Sequence, residues 1–180
     1  SYFQGLDGSA RSRVCMIDTP GVNSTIYKAH RKISREQLKN GQYDILLHVL
    51  NGNKLGTDEE LSHLRWIYNN ISSDKVIFIL NKLDNFRKGE DSIQASLEGV
   101  RKDLEAIGYK NPVICPLSAY FAYLLKKKRY GGTLTEDEED EYELYSKKFR
   151  RDEYDLSRYG TCVDSCSDAD EYDMMNKRCG

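Results

Sequence analysis

Four short apolar runs punctuate an otherwise polar chain: Val14–Ile17, Ile45–Leu50, Val76–Leu80 and Val113–Cys115. Each has strand length and strand composition, and each is near-continuous, which is the pattern of strands covered on both faces by helices. Between them lie stretches with helix-opening signals. Ser34 with Gln37, Thr57 with Glu60 and Thr135 with Glu138 have the spacing of capping boxes, each opening a segment of helical period. Ser92 to Ile107 is a further amphipathic segment, closed by Gly108. Strands alternating with helices predict an α/β fold around a mostly parallel, doubly wound sheet with flanking helices. Right-handed crossovers then gather the loops that follow the strands at one edge, where such sheets bind ligands.

The chain has 180 residues, enough for one domain with a core of its own. Apolar residues make up 39% and charged residues 31%, with a formal net charge of -2. Mixed charge of that kind builds no one-signed basic face, which argues against a nucleic-acid partner. No apolar stretch approaches the roughly 20 residues that span a bilayer, and the start lacks a signal-peptide layout, so a cytoplasmic protein is expected. Residues 1–12 read as a tag remnant or an edge strand, since Tyr2-Phe3-Gln4-Gly5 resembles the end of a protease-cleavable tag. Residues 133–180 form a charged helical and loop extension: Thr135 to Tyr154 reads as a solvated surface helix or helix pair, with the acidic run Glu136–Glu141 on its wet face, and loop follows from Gly160. Of five cysteines, Cys15 and Cys115 fall in apolar runs and read as core residues. Cys162, Cys166 and Cys179 can offer three thiolates, but their spacing departs from paired zinc knuckles, and they read as free or redox-sensitive surface thiols.

Three motifs follow strand ends. The first run leads into Asp18-Thr19-Pro20-Gly21; a carboxylate there can hold magnesium through its water shell, and the glycine lets a backbone N–H approach a terminal phosphate. Alone, this is also an ordinary turn. The third run leads into Asn81-Lys82-Leu83-Asp84. With residue types used about one time in twenty, those fixed positions match by chance in roughly 2% of chains this long, so the motif decides more than the first. Asp84 can accept both the ring N–H and the exocyclic amine of guanine, a pair that adenine cannot offer. Asn81 can bridge neighbouring loops, and the Lys82 stem can cover one face of the base. The fourth run leads into Pro116-Leu117-Ser118-Ala119, where a small residue can present a backbone N–H to the guanine O6 atom; Ser118 is equally a helix N-cap.

The DxxG, NKxD and SA motifs, in this order on these strands, resemble a translation-factor-related P-loop GTPase, and within that class the bacterial dynamin-like family. The closer likeness rests on Ile17-Asp-Thr-Pro-Gly-Val-Asn23 with His30, on Asp44–Asn51 leading to Leu55-Gly-Thr-Asp58, on Asn81–Phe86 and on Pro116–Tyr120. The resemblance implies GTP and GDP as ligands, Mg2+ held by Asp18 through water, and base or phosphate contacts from Gly21, Asn81, Lys82, Asp84, Ser118 and Ala119. It also implies GTP hydrolysis, a G-domain homodimer in the complete protein, and membrane remodelling through parts outside this chain, hence a peripheral membrane location. The family's GxxxxGK[ST] loop and its strand, expected between those ending at Ile17 and Leu50, are absent from these residues. The chain is therefore expected to be a partial, N-terminally truncated G domain that by itself binds GTP weakly and is inactive. Val22 replaces the water-orienting glutamine of small signalling GTPases, so the catalytic residues are unknown, with Asp18, Thr19, Pro20 and Gly21 nearest. Two alternatives remain: an assembly or tRNA-modification GTPase of the Era and TrmE type, and a non-catalytic scaffold. His48 reads as a core histidine, His30 as a surface or capping residue or one that moves with nucleotide state, and Trp66 and Tyr120–Tyr123 as helix packing positions.

Overall fold

The structure is a computed structural model that describes residues 15–19, 28–53, 56–159 and 178–180. Its contacts divide the chain into two units, Ser1–Gln42 and Tyr43–Gly180. In the first unit, helix α1 spans Lys28–Asn40. Ser34, expected to open that helix, lies inside it; no glycine or proline separates Lys28 from Ser34, so nothing stops the helix from running through a serine. Residues 15–19 have no regular structure, with Met16 63% and Ile17 70% exposed. The expected strand Val14–Ile17 is thus not formed over residues 15–17, and Val14 lies outside the described residues. An apolar run becomes a strand only when a neighbour accepts its backbone ladder, and none does so here among the described residues. Cys15, expected in a core, is exposed.

The second unit holds the other three expected strands: β1, Leu46–Asn51; β2, Val76–Asn81; and β3, Val113–Pro116. All are parallel, in the order β1-β2-β3. Helix α2 (Asp58–Asn70) joins β1 to β2, and α3 (Ile93–Ile107) joins β2 to β3. Two crossovers of the usual hand in one direction put both helices on one face. That face is dry: Val76, Phe78 and Leu80 of β2 are buried with Leu64 and Ile67 of α2 and Val100 and Leu104 of α3. The other face is open among the described residues, with Leu47 48%, Val49 59% and Val113 38% exposed. The expectation of two covered faces therefore holds for one.

Helix ends follow their sequence signals. Ser92 Oγ accepts from Ala95 N–H at the start of α3 (3.2 Å), and Gly108 closes it at φ 124°. A Cβ on Gly108 would lie 2.6 Å from the Tyr68 ring, on a backbone whose φ side chains rarely take, so a larger residue there is strained and displaces Tyr68. Thr57 caps α2 by accepting from Glu60 N–H, while Glu60 accepts from Gly56 N–H instead of closing the box on Thr57. After β3 come α4 (Ala119–Arg129) and α5 (Glu136–Phe149). Thr135 and Glu138 make the complete capping box of α5, and Glu138 also pairs with Lys127 at 2.6 Å.

Helix α5 is more than a solvated face. Tyr145 is 8% exposed and Phe149 fully buried, and Phe149 stacks on the buried Phe121 of α4 with ring centroids 5.1 Å apart and 7° between planes. Aromatics at helical spacing supply the inner face that aliphatics usually make. Cys179 is buried, so the expectation of a surface thiol fails for it, and burial pushes its thiol up to about 12. Cys162 and Cys166 lie outside the described residues.

Candidate functional site

The carboxyl ends of β2 and β3 carry two of the expected motifs and bring them together. Asn81 is the last residue of β2. Its main-chain oxygen accepts from Gly52 N–H in the loop after β1 (2.8 Å), and its side-chain Oδ1 accepts from Ala119 N–H at the start of α4, where the loop after β3 ends (3.0 Å). One residue thus ties three strand-end loops. Lys82 follows in the left-handed region at φ 69°, ψ 30°, a conformation that costs a non-glycine residue about 1 kcal/mol. The turn leaves the Lys82 side chain exposed and drives Leu83 and Asp84 inward, to 0% and 8% exposure.

Asp84 meets the second motif directly. Ser118 Oγ donates to Asp84 Oδ1 at 2.6 Å, and Ser118 is fully buried. Ser118 does occupy the N-cap position of α4, yet its side chain makes no capping hydrogen bond; the hydroxyl goes to the carboxylate. A carboxylate has about four lone-pair directions, so the bond from Ser118 leaves Asp84 with further acceptor capacity. The backbone N–H groups are committed differently from expectation: Ala119 N–H is held by Asn81 Oδ1, and Ser118 N–H donates to Cys179 O at 2.8 Å. A guanine O6 atom would have to share the Ala119 N–H with Asn81.

This cluster lies wholly within residues 43–180. Asp18 and Thr19 belong to the other unit, where Asp18 is exposed, and Pro20 and Gly21 lie outside the described residues.

The sequence did not point to Lys148 of α5. Its ammonium donates to Leu83 O at 3.2 Å, to Asp84 O at 2.6 Å and to Phe86 O, so it closes the back of the Asn81–Phe86 loop. It also lies 4.7 Å from the centre of the Tyr154 ring. Burial pushes Lys148 down to about 8, against the pull of Asp84 and Asp91. Gly52 was missed as well: a Cβ there would come within 3.0 Å of Asn81 O and 3.2 Å of Leu83 and Phe86 side chains. Away from the motifs, His48 lies on the covered face of β1, and burial lowers it to about 4; its ring is 5.5 Å from that of His63, on which Trp66 stacks.

The family model described as a 50S ribosome-binding GTPase matches residues 5–82. The probable transmembrane GTPase FZO-like, chloroplastic, of Arabidopsis thaliana is 32% identical over 107 residues, which are 58% of this chain and 11% of that protein. The chain therefore spans about a tenth of that relative's length. No solved structure matches. The two likenesses support a GTPase family and, for this chain, a GTP-binding domain.

Proposed function

We propose that this chain is the guanine-reading part of the G domain of a dynamin-like GTPase that hydrolyses GTP and remodels membranes. The observation that carries the reading is the buried Ser118–Asp84 bond (2.6 Å) beside the Asn81–Ala119 bond (3.0 Å), a fixed carboxylate set at the carboxyl edge of a parallel sheet. Asp84 then accepts the ring N–H and exocyclic amine of guanine, the exposed Lys82 stem covers one face of the base, and adenine would leave the carboxylate unpaired. The phosphate contacts come from a GxxxxGK[ST] loop outside these residues, so the 180-residue chain alone binds GTP weakly.

Magnesium fits the one carboxylate offered to it. Asp18 is exposed in a segment without regular structure, which suits an ion that keeps its waters and takes its remaining ligands from phosphate. Among the described residues no group of three His, Cys, Asp or Glu side chains is placed to hold a metal by itself. When bound, the ion would neutralise charge on the transferring phosphate. In the complete protein two G domains pair, the membrane contact lies outside this chain, and the domain works in the cytoplasm at a membrane surface. The word transmembrane in the Arabidopsis relative's name supports the membrane part. The match to the 50S ribosome-binding family favours a second reading, an assembly GTPase of the Era and TrmE type; co-sedimentation of the full-length protein with anionic vesicles or with 50S subunits separates the two.

The test of base recognition is Asp84→Asn in the full-length protein. An amide replaces an acceptor with a donor, so guanine nucleotide affinity should fall on the order of 100-fold, while xanthine nucleotide, which presents an acceptor in place of the amine, should bind more tightly. Unchanged preference for guanine would sink the reading. The same titration of the 180-residue chain should show no micromolar binding.

A further inference from the structure

We propose that Lys148 is a positioning residue for base recognition, its ammonium on α5 holding the Leu83–Phe86 segment in the one shape that aims Asp84 at guanine. The inference rests on the guanine-binding reading above. Three carbonyl oxygens, those of Leu83, Asp84 and Phe86, converge on Lys148 Nζ, and an ammonium has three N–H donors to give. The number matches: each N–H of the ammonium has one carbonyl to meet.

The segment so held is short and follows a strained residue. It begins immediately after Lys82 in its left-handed conformation and contains the single turn Leu83–Asn85, too little helix to keep its own shape. Three of its carbonyls meet Lys148 of α5, so the ammonium orients the backbone of the loop that carries Asp84. Burying an ammonium is costly, and here three carbonyl bonds offset that cost, bonds that an apolar side chain at this position could not make. The helix that carries Lys148 is itself fixed: the Phe149 ring stacks on Phe121 at 5.1 Å, and Arg178 donates from Nε to Phe149 O (2.6 Å) and from Nη2 to Arg150 O (3.0 Å). Lys148 therefore transmits the position of a packed helix to the loop that reads the base.

The readout is the ratio of inosine diphosphate to guanosine diphosphate dissociation constants in the full-length protein. Inosine lacks only the exocyclic amine, so the ratio reports how well the Asp84 carboxylate is aimed. Lys148→Met keeps the length of the stem and removes the donors. It should lower the ratio on the order of fivefold or more, mostly through weaker guanosine diphosphate binding, with inosine diphosphate changed less than about twofold. Lys148→Arg, which keeps the charge and several donors, should recover most of the ratio. An unchanged ratio in Lys148→Met, or equal weakening of both nucleotides, would overturn the proposal and leave Lys148 a structural residue. If Lys148→Met does not fold, Lys148→Gln carries the test: its shorter amide reaches two carbonyls at most, and the ratio should again fall. The Asp84→Asn result separates the two levels. A switch in base preference there with no effect at Lys148 defeats only this inference, whereas no switch at Asp84 defeats the reading beneath it.

Discussion

The Ser118–Asp84 hydrogen bond makes a quantitative prediction about folding that does not depend on nucleotide. The two oxygens are 2.6 Å apart, within the short range of a hydroxyl bonded to a carboxylate, and such bonds to charged groups contribute about 1.5–3 kcal/mol. Neither partner has easy access to replacement water, since Ser118 is 0% and Asp84 8% exposed. Ser118→Ala should therefore destabilise the protein by about 2 kcal/mol, which for a urea dependence of about 2 kcal/mol per molar moves the midpoint down by about 1 M. The protein has one tryptophan, Trp66, stacked on His63 with ring planes 3° apart, and its fluorescence reports the unfolding of this unit. In a background already carrying Asp84→Ala, the hydroxyl has lost its acceptor, and Ser118→Ala should then cost about 0.5 kcal/mol or less. The coupling energy of the double-mutant cycle should thus be about 1.5 kcal/mol. Additivity within about 0.5 kcal/mol would refute the claim that these side chains bond to each other, and with it the claim that Asp84 is held in place from the β3 loop.

Two further perturbations test the packing around the site. Phe121→Ala removes a fully buried ring stacked on Phe149 at 5.1 Å, and should cost about 3–5 kcal/mol in urea unfolding; a loss under about 2 kcal/mol would mean that α4 and α5 are not joined through this contact. His48 is lowered by burial to about 4 from 6.5, so between those values the unfolded chain binds the proton and the folded one does not. Stability supplied by the neutral imidazole is complete above about pH 6.5 and is lost as pH falls toward 4, amounting to about 1–2 kcal/mol between pH 7 and pH 5. His48→Gln should remove that part of the acid dependence, and an identical slope in the variant would show that His48 titrates normally.

The strand ends were legible in the sequence because two independent signals coincide there. Val76–Leu80 and Asn81–Asp84 each carry information, the run through its apolar composition and the motif through its side-chain chemistry, and the structure places Asn81, Asp84, Ser118 and Ala119 together as that juxtaposition requires. Beyond those ends the reading depended on contacts that leave no trace in residue identity. Lys148 bonds to carbonyls 62 to 65 positions away, and a backbone carbonyl is present at every residue, so nothing in the helix sequence marked it out from its charged neighbours. Cys179 was misread for the same reason, its carbonyl accepting from Ser118 N–H. The run at Val14–Ile17 failed in the opposite way: its composition is that of a strand, but composition cannot supply the neighbour that a ladder needs. Likewise, the exposed Leu47, Val49 and Val113 read as doubly covered because a near-continuous apolar run records what a strand can bury, whereas burial depends on what packs against it.

The shape of the Asn81–Phe86 loop then follows from its supports. A left-handed non-glycine residue such as Lys82 persists only where its surroundings over-determine it. Those surroundings meet the loop on different sides: Gly52 N–H holds Asn81 O from the β1 loop, Ala119 N–H and Ser118 Oγ hold the Asn81 and Asp84 side chains from the β3 loop, and Lys148 holds the carbonyls from α5. The supports are not equivalent. The first requires the absence of a side chain, because a Cβ at Gly52 would meet Asn81 O at 3.0 Å; the second requires small polar groups; the third requires a charge. Each constrains a different atom set of the same loop, Asn81–Phe86, so no one support can stand in for another. The Asp84 carboxylate is therefore placed jointly by a sheet edge and by a helix that the sequence presents as a mere surface extension.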